Sequence, residues 1–363
     1  MDEATRRHII ELGMTAPSVD NTQPFYFRWQ DDRLLIYRDE SRDRKRGGAG
    51  HYVAMIGLGA LVECLGIAAS GDGQTADIAV TYDSKHLEQP WASVSFEPAD
   101  PAIDELRDGL RLRCSDRRSY QGGDLDDEVF HYLSADTKEL GTPLYFQDQP
   151  DQSLLDYLLE CEEFFWRDEH ILPEMLSWVR WSRASVERTR DGVPWQALAV
   201  SLIPSRLIML VSKSPRFRRF VRRTGGPLKA QQRILEEQVH SSAALGCFTV
   251  ADTRPESMFQ VGRAFLRTWV RLNMAGYGVQ VMANPSLHVL QTEAGVLPDD
   301  YPEESKQVFA GGRQVLTEAF GCPEDEIPAW MFRTGKSEPL PALMRTLRRP
   351  VETMMQTAST ADG

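Results

Sequence analysis

Two segments of this chain are built alike. HYVAMIGLGALVECLGIAASGDG, residues 51–73, carries apolar residues at helical spacing into a glycine-rich stop. Shifted by 205 residues, Ile56-Gly57 lies on Val261-Gly262, Leu61 on Leu266, Leu65 on Val270, and Ser70-Gly71-Asp72-Gly73 on Ala275-Gly276-Tyr277-Gly278. A second match, at 119 residues, lays Gln23-Pro24-Phe25-Tyr26-Phe27 on Thr142-Pro143-Leu144-Tyr145-Phe146. Both matches run in the same order along the chain, which indicates an internal duplication. The two shifts differ by about 86 residues, so the second copy is expected to carry an insertion, about residues 150–235, between its hairpin and its helix.

Each copy reads as strands plus one long buried helix, an α+β design. FYFRWQDDRLLIY predicts a hairpin turning at Gln30-Asp31-Asp32-Arg33, and ADIAVTYD and WASVSFE alternate as strands. The run RDESRDRKRGG between hairpin and helix reads as a solvated charged loop. Gly57-Leu58-Gly59 could instead open a dinucleotide-binding loop, although Val62 stands where its third glycine belongs.

A net charge of -12 argues against a nucleic-acid partner. The five cysteines form no CxxC pair and the seven histidines are dispersed, so a reducing compartment and no metal site are expected. His131, His170, His240 and His288 read as structural. MDEATRRHIIELG lacks the apolar core of a signal peptide. WQALAVSLIPSRLIMLV is broken by Ser201, Pro204, Ser205 and Arg206 and is too polar to span a bilayer. A cytoplasmic protein with no membrane partner is expected.

The insertion holds Trp166, Trp178, Trp181 and Trp195 on expected helices, either as core or as a cover for a planar ligand. Within it, SKSPRFRRFVRRTGG is a basic amphipathic stretch, either an exposed helix face or a membrane-surface contact.

Three segments carry candidate chemistry. TAPSVDNTQPFYFRW offers Ser18, Asn21 and Gln23 from a tight turn that launches a strand. RLRCSDRRSYQGGDL sets Arg111, Arg113, Arg117 and Arg118 around Ser115, just before an expected helix in DDEVFHYL. Such arginines can fork onto a phosphate, or pair with Asp116, Asp124, Asp126 and Asp127. Near the C-terminus a hydrophobic strand, Trp330 to Phe332, gives way to Arg333, Lys336, Arg345, Arg348 and Arg349, again a set that suits an anion. No Ser-His-Asp constellation or carboxylate pair stands out.

These segments resemble the flavin-dependent nitroreductase superfamily. APSVDNTQPFYFRW is similar to its A-P-S-x-x-N-x-Q-P-W-x-F loop, RCSDRRSY to its R-x-[ST]-x-R segment, AGYGVQVMANP to the helix end and strand beneath the isoalloxazine ring, and MFRTGKSEP with RRP to its final strand and basic close. The likeness is to the long, internally duplicated branch of Acg-type proteins, in which one chain does the work of a dimer. It implies an α+β nitroreductase-like fold with two pseudo-symmetric halves, residues 1–110 and 111–350, a helical lid insertion, and a tail at 351–363.

The resemblance also implies a bound FMN. Arg113, Ser115 and Arg117, helped by Arg348 or Arg349, would hold its phosphate and ribityl chain; Ser18, Asn21 and Gln23 the ribityl hydroxyls and ring edge; Met282, Ala283 and Asn284 would approach the ring. The degraded second copy of the opening loop places Thr137, Leu140 and Thr142 opposite Ser18, Asn21 and Gln23, so one site per chain is expected in a monomer. Phe25 and Asn284 depart from the family pattern. The implied activity is hydride transfer through flavin N5 between NAD(P)H and a small conjugated, nitro or quinone acceptor, or dehydrogenation of a biosynthetic intermediate. The alternative is a flavin-sequestering protein without turnover.

Overall fold

The computed structural model describes residues 1–43, 49–99, 102–148, 150–200 and 202–356. The last five residues of RDESRDRKRGG, 44–48, and the last residues, 357–363, lie outside the described residues.

The first part of the chain runs α1 (Glu3–Gly13), β1 (Phe25–Gln30), β2 (Arg33–Arg38), α2 (Tyr52–Ser70), β3 (Gln74–Val80) and β4 (Ala92–Pro98). Alternating apolar residues give the expected hairpin, Phe25 opposite Arg38 and Gln30 opposite Arg33, with Asp31 in the left-handed region at the turn. The strands form an antiparallel sheet in the order β1-β2-β4-β3.

The second part runs α3 (Asp127–Glu139), β5 (Leu144–Gln147), a helical excursion, then three strands and three helices. The excursion is α4 (Gln152–Arg167), α5 (Ile171–Ser177), β6 (Val179–Arg180), α6 (Arg183–Thr189), β7 (Val193–Pro194), α7 (Leu202–Lys213), α8 (Pro215–Thr224) and α9 (Gly226–His240). The later elements are β8 (Ala244–Val250), α10 (Pro255–Met274), β9 (Tyr277–Val281), α11 (Ala283–Glu293), α12 (Glu303–Phe320) and β10 (Ile327–Lys336). The second sheet has the order β5-β8-β10-β9, the same arrangement in chain order as the first, and is also antiparallel.

This corrects the expected place of the insertion. It parts the two strands of the second hairpin, β5 and β8, rather than following the hairpin. A hairpin's pairing is held by its strands, so its turn can be widened without disturbing the sheet.

Helix α2 is apolar along nearly its whole length and packs against β3 and β4 on one side and α10 on another, the pattern of a helix with no solvent side. It is long and apolar enough by composition to cross a membrane, but 83% of that window is buried in the protein. Its main neighbour is α10, and one hydrophobic core contains residues of both sheets and both helices. The two backbones touch. A Cβ on Gly59 would lie 2.0 Å from the Phe259 carbonyl oxygen, and a Cβ on Gly262 would lie 2.2 Å from that of Ile56.

The contact is reciprocal, as across a two-fold axis, and its counterparts lie 203 residues apart. Gln74 and Tyr277, which begin β3 and β9, have the same spacing. This geometric pairing of Gly262 with Gly59 has a spacing of 203, two residues from the shift of 205 read from the sequence, which pairs Gly262 with Gly57. A Cβ on Gly57 would meet only the Phe25 ring at an ordinary 3.5 Å. Gly57 and Gly59 both lie inside α2, so the dinucleotide-loop reading fails, because that loop needs glycines before a helix rather than within one.

Polar groups fix the same crossing. Glu63 of α2 accepts from Arg263 and Arg267 of α10 at 2.8 and 3.0 Å, and Arg267 also reaches Asp104 and Asp136. At the other end of the chain, Phe27 exchanges hydrogen bonds with Met354 and Gln356, each at 2.7 Å, and Val351 and Met354 are buried. The stretch set apart as a tail thus begins with residues packed against β1.

Candidate functional site

A cavity of about 400 Å³ opens between the opening loop and α2 on one side, α10, β9 and β10 on another, and the helical excursion. It falls within the range of small-molecule sites. Its floor includes Ile56 and Gly57 of α2, Phe265 and Trp269 of α10, and Trp330 of β10. The insertion supplies a wall from α4, α5, α7 and α9, with Trp166 its only tryptophan among the described lining residues. Trp178 instead stacks with Arg42 and Arg180, and Trp181 and Trp195 pack in a satellite core.

Six of the eleven candidate residues meet here: Ser18, Ser115, Arg117, Met282, Ala283 and Asn284. Ser115 and Arg117 come from a segment annealed to β9, with Ser115 bridged to Val279 and the Asp116 amide donating to the Val279 carbonyl at 2.9 Å. Extended backbone sends alternate side chains to opposite sides. Residues 115 and 117 therefore face the cavity, while Asp116 turns away into bonds with Arg118 and Ser337. Burial lowers the pKa of Arg117, with Asp20 opposing that shift, and its hydrogen bond to the Ala197 carbonyl is long, 3.3 Å. A half-buried guanidinium so lightly held is chemically able to accept an anion.

The other five candidates hold the chain to itself. Asn21 Nδ2 donates to the carbonyls of Gly192 and Leu347, and its Oδ1 accepts from Arg348 at 2.8 Å. Gln23 Nε2 donates to the Arg190 carbonyl, and its Oε1 accepts from the Arg349 amide. Asp20, Asn21 and Gln23 all have positive φ, so the loop is bent through backbone that side chains rarely adopt. Arg113 is buried against Trp269 and donates to the Thr15 carbonyl at 2.8 Å; Arg348 caps the carbonyls of Met14, Thr15 and Ala16 beyond the end of α1. Burial brings Arg113 down to about 10. Burial first, and then Arg113 itself, brings Arg348 down to about 9. Arg349 bonds the Thr353 carbonyl.

The basic C-terminal set is not one anion site. Arg333 is fully buried, bonded to Gln280 and to the carbonyls of Gln238 and Arg118; Lys336 pairs with Asp126 on the surface; Arg345 caps the carbonyls of Arg111 and Leu112.

One lining residue was not legible in the sequence. Glu162 of α4 accepts from Trp166 Nε1 at 3.0 Å and also bonds Gln231, and burial pushes its carboxyl up to about 7. Nothing local marks Glu162 among the acids of LLECEEFFW; only the packing of α4 selects it.

No family model matches this chain. Over 114 residues it is 29% identical to a Mycobacterium tuberculosis protein assigned the name NAD(P)H nitroreductase Acg, found in strains CDC 1551 and H37Rv. That stretch is 30% of this chain, and the chain spans about a third of the relative's length, 33%. The chain is similar to the nitroreductase superfamily. The likeness to its Acg-type branch, first read in the motifs, stands in this match as well. A solved structure from Anabaena variabilis, also named as a nitroreductase, aligns with 89% of this chain and 82% of its own at 9% identity and a TM-score of 0.40. In this nitroreductase-like chain the α+β class follows from its two antiparallel sheets and its helices.

Proposed function

We propose that this chain is an FMN-binding oxidoreductase of nitroreductase type, with one site per chain. The observation that carries it is the meeting of Ser115 and Arg117 with Ser18 across one aromatic-floored cavity. The donor set suits the group: a half-buried guanidinium and hydroxyls for a phosphate and polyol, and flat apolar walls for a ring system. Arg117 and Ser115 would hold the phosphate, and Ser18 a ribityl hydroxyl. Met282, Ala283 and Asn284, at the start of α11, would approach the ring edge.

When bound, the flavin supplies hydride chemistry, with NAD(P)H as the proposed reductant and a small conjugated, nitro or quinone compound as acceptor. The protein's own part is to orient, to cover and to move a proton. The insertion acts as a lid that keeps water from the cavity. Glu162 exchanges a proton at its carboxylate near neutral pH, at the wall where an acceptor would lie. Asn21 and Gln23 act one step back, holding the lid loop at 190–192 and the run at 347–349 against the opening loop.

The matching sheet orders and the 203-residue reciprocity support an internal duplication, with halves at 1–110 and 111–350 packed as a pseudo-dimer within a monomer. The proposed setting is cytoplasmic.

The test is FMN titration followed by anaerobic addition of NADH or NADPH. Saturable flavin binding, bleaching by a nicotinamide donor and reoxidation by a quinone or nitroaromatic support the reading. Absence of flavin binding by the folded protein overturns it. Binding without bleaching by any nicotinamide donor overturns the reductase and leaves sequestration or a dehydrogenase reduced by its own substrate.

A further inference from the structure

The charge of this chain is segregated. Between Gly192 and Leu235 there is no aspartate or glutamate, and nine lysines and arginines; the remaining residues carry a net -21. Helices α7 and α8, which pack on each other, lie within this segment. Their inner faces are occupied: Val211 and Val221 are buried in the satellite core, and Ile208 lines the cavity.

Their outer faces combine two kinds of residue. On α7, Arg206, Leu207, Leu210 and Lys213 form one exposed stripe; on α8, Arg216, Arg219, Phe220 and Arg223 form another. Leu207, Leu210 and Phe220 are 40%, 50% and 63% exposed, large apolar side chains set among cations. Arg218, Arg219, Arg222 and Arg223 also line a neighbouring cavity of about 340 Å³, where Arg222 meets Glu169; Arg219 and Arg223 remain exposed at its rim.

We propose that the α7–α8 face docks this protein on an anionic lipid surface. Cations interleaved with protruding leucine and phenylalanine suit the headgroup and acyl boundary of an anionic bilayer. A soluble polyanion would use the arginines and leave Leu207, Leu210 and Phe220 without a role. A second copy would set like charges face to face. The rest of the molecule, at -21, is repelled by such a membrane, so one orientation is selected. In that orientation α7 separates the bilayer from the cavity, with Ile208 on one side and Leu207 and Leu210 on the other. An apolar substrate dissolved in the membrane would then meet the cavity wall first; this last step alone rests on the oxidoreductase reading.

The experiment is flotation of the whole protein with vesicles of phosphatidylcholine, with and without phosphatidylglycerol, at low and high salt. Expected is binding to the anionic vesicles only, weakened by salt. Arg219→Gln and Arg223→Gln each lower the partition coefficient about fivefold. Leu210→Ser with Phe220→Ser lowers it further at unchanged charge. All four positions are exposed, so unchanged melting of the variants is the control for folding. No binding to anionic vesicles at low salt, or equal binding to neutral ones, overturns the proposal. So does vesicle binding that ignores the serine changes and is abolished by soluble polyphosphate, which assigns the face to a soluble anion. A concentration-dependent dimer dissolved by the serine changes overturns it in favour of self-association. None of these readouts requires flavin.

Discussion

The side-chain oxygen of Asn21 accepts a hydrogen bond from Arg348 at 2.8 Å, joining residues 327 positions apart in sequence. The same amide donates to the carbonyls of Gly192 and Leu347. One short side chain thus ties the opening loop to the insertion and to the C-terminal run. Asn21→Gly keeps the left-handed backbone and removes all three bonds. It is expected to cost about 1–3 kcal/mol, because the Gly192 carbonyl loses its partner while Arg348 keeps Thr346 and the Leu347 carbonyl. Asn21→Ala should cost about 1 kcal/mol more, for the positive φ. Thermal melts of the two variants check this; equal stability of the glycine and alanine variants would refute the φ argument.

The α2–α10 crossing leaves no room for a methyl group. Gly59→Ala and Gly262→Ala each push a Cβ into a carbonyl of the facing helix and are expected to destabilise by about 3 kcal/mol or more. Gly57→Ala meets only a ring at van der Waals distance and should cost less than about 1 kcal/mol. Denaturant midpoints for the three variants decide between shifts of 203 and 205.

Two buried groups titrate in opposite senses. His288, stacked on Phe309 and edge-on to Phe164, is pushed down to about 4 by burial. The unfolded chain takes up its proton at about 6.5, so stability falls as pH drops from 6.5 to 4. Glu162, pushed up to about 7, keeps its proton while the unfolded chain has lost it, so stability falls as pH rises from about 4.5 to 7. The slopes cancel between about 4.5 and 6.5. His288→Phe should expose a loss of stability on raising the pH, and Glu162→Gln a loss on lowering it, each on the order of 3 kcal/mol across its window. Chemical denaturation at a series of pH values reads both; a flat profile in either single variant would show that the pair does not titrate as described.

Arg113 and Arg117 belong to one motif but face different surroundings. Arg117→Ala is expected to weaken FMN binding by about 10–100-fold with little change in the melting of the flavin-free protein. Arg113→Ala should do the reverse, losing its packing on Trp269 and its bond to the Thr15 carbonyl at a cost of about 2 kcal/mol or more. Flavin fluorescence titrations and melts of both variants separate the roles; matching losses of flavin affinity would return Arg113 to the phosphate.

Alternating and helical periodicities were readable because they are local. The first hairpin, α2 and its following strands, and the 119-residue shift that places Phe25 and Leu144 at the starts of β1 and β5 all follow from side-chain spacing. The opening loop was legible as special from its amides, which tolerate left-handed backbone. What those amides do was not. Asn21 and Gln23 find their partners near residues 190 and 348, and sequence carries no record of which distant carbonyls approach.

The sequence by itself determined the α+β class, the paired helices and the short segments able to bear chemistry, because each is a property of neighbouring residues. Tertiary structure decided which glycine touches a backbone, where the insertion departs, and which members of the arginine-rich segment face the cavity. Arg113 and Arg117 are both arginines two residues from Ser115; what separates them is that Arg113 is taken up by Trp269 and the Thr15 carbonyl while Arg117 lines the cavity. Glu162 is the limiting case. Its neighbours make it an ordinary helical acid, and only burial beside Trp166 and Gln231, which raises the cost of its charge, gives it a proton near neutral pH.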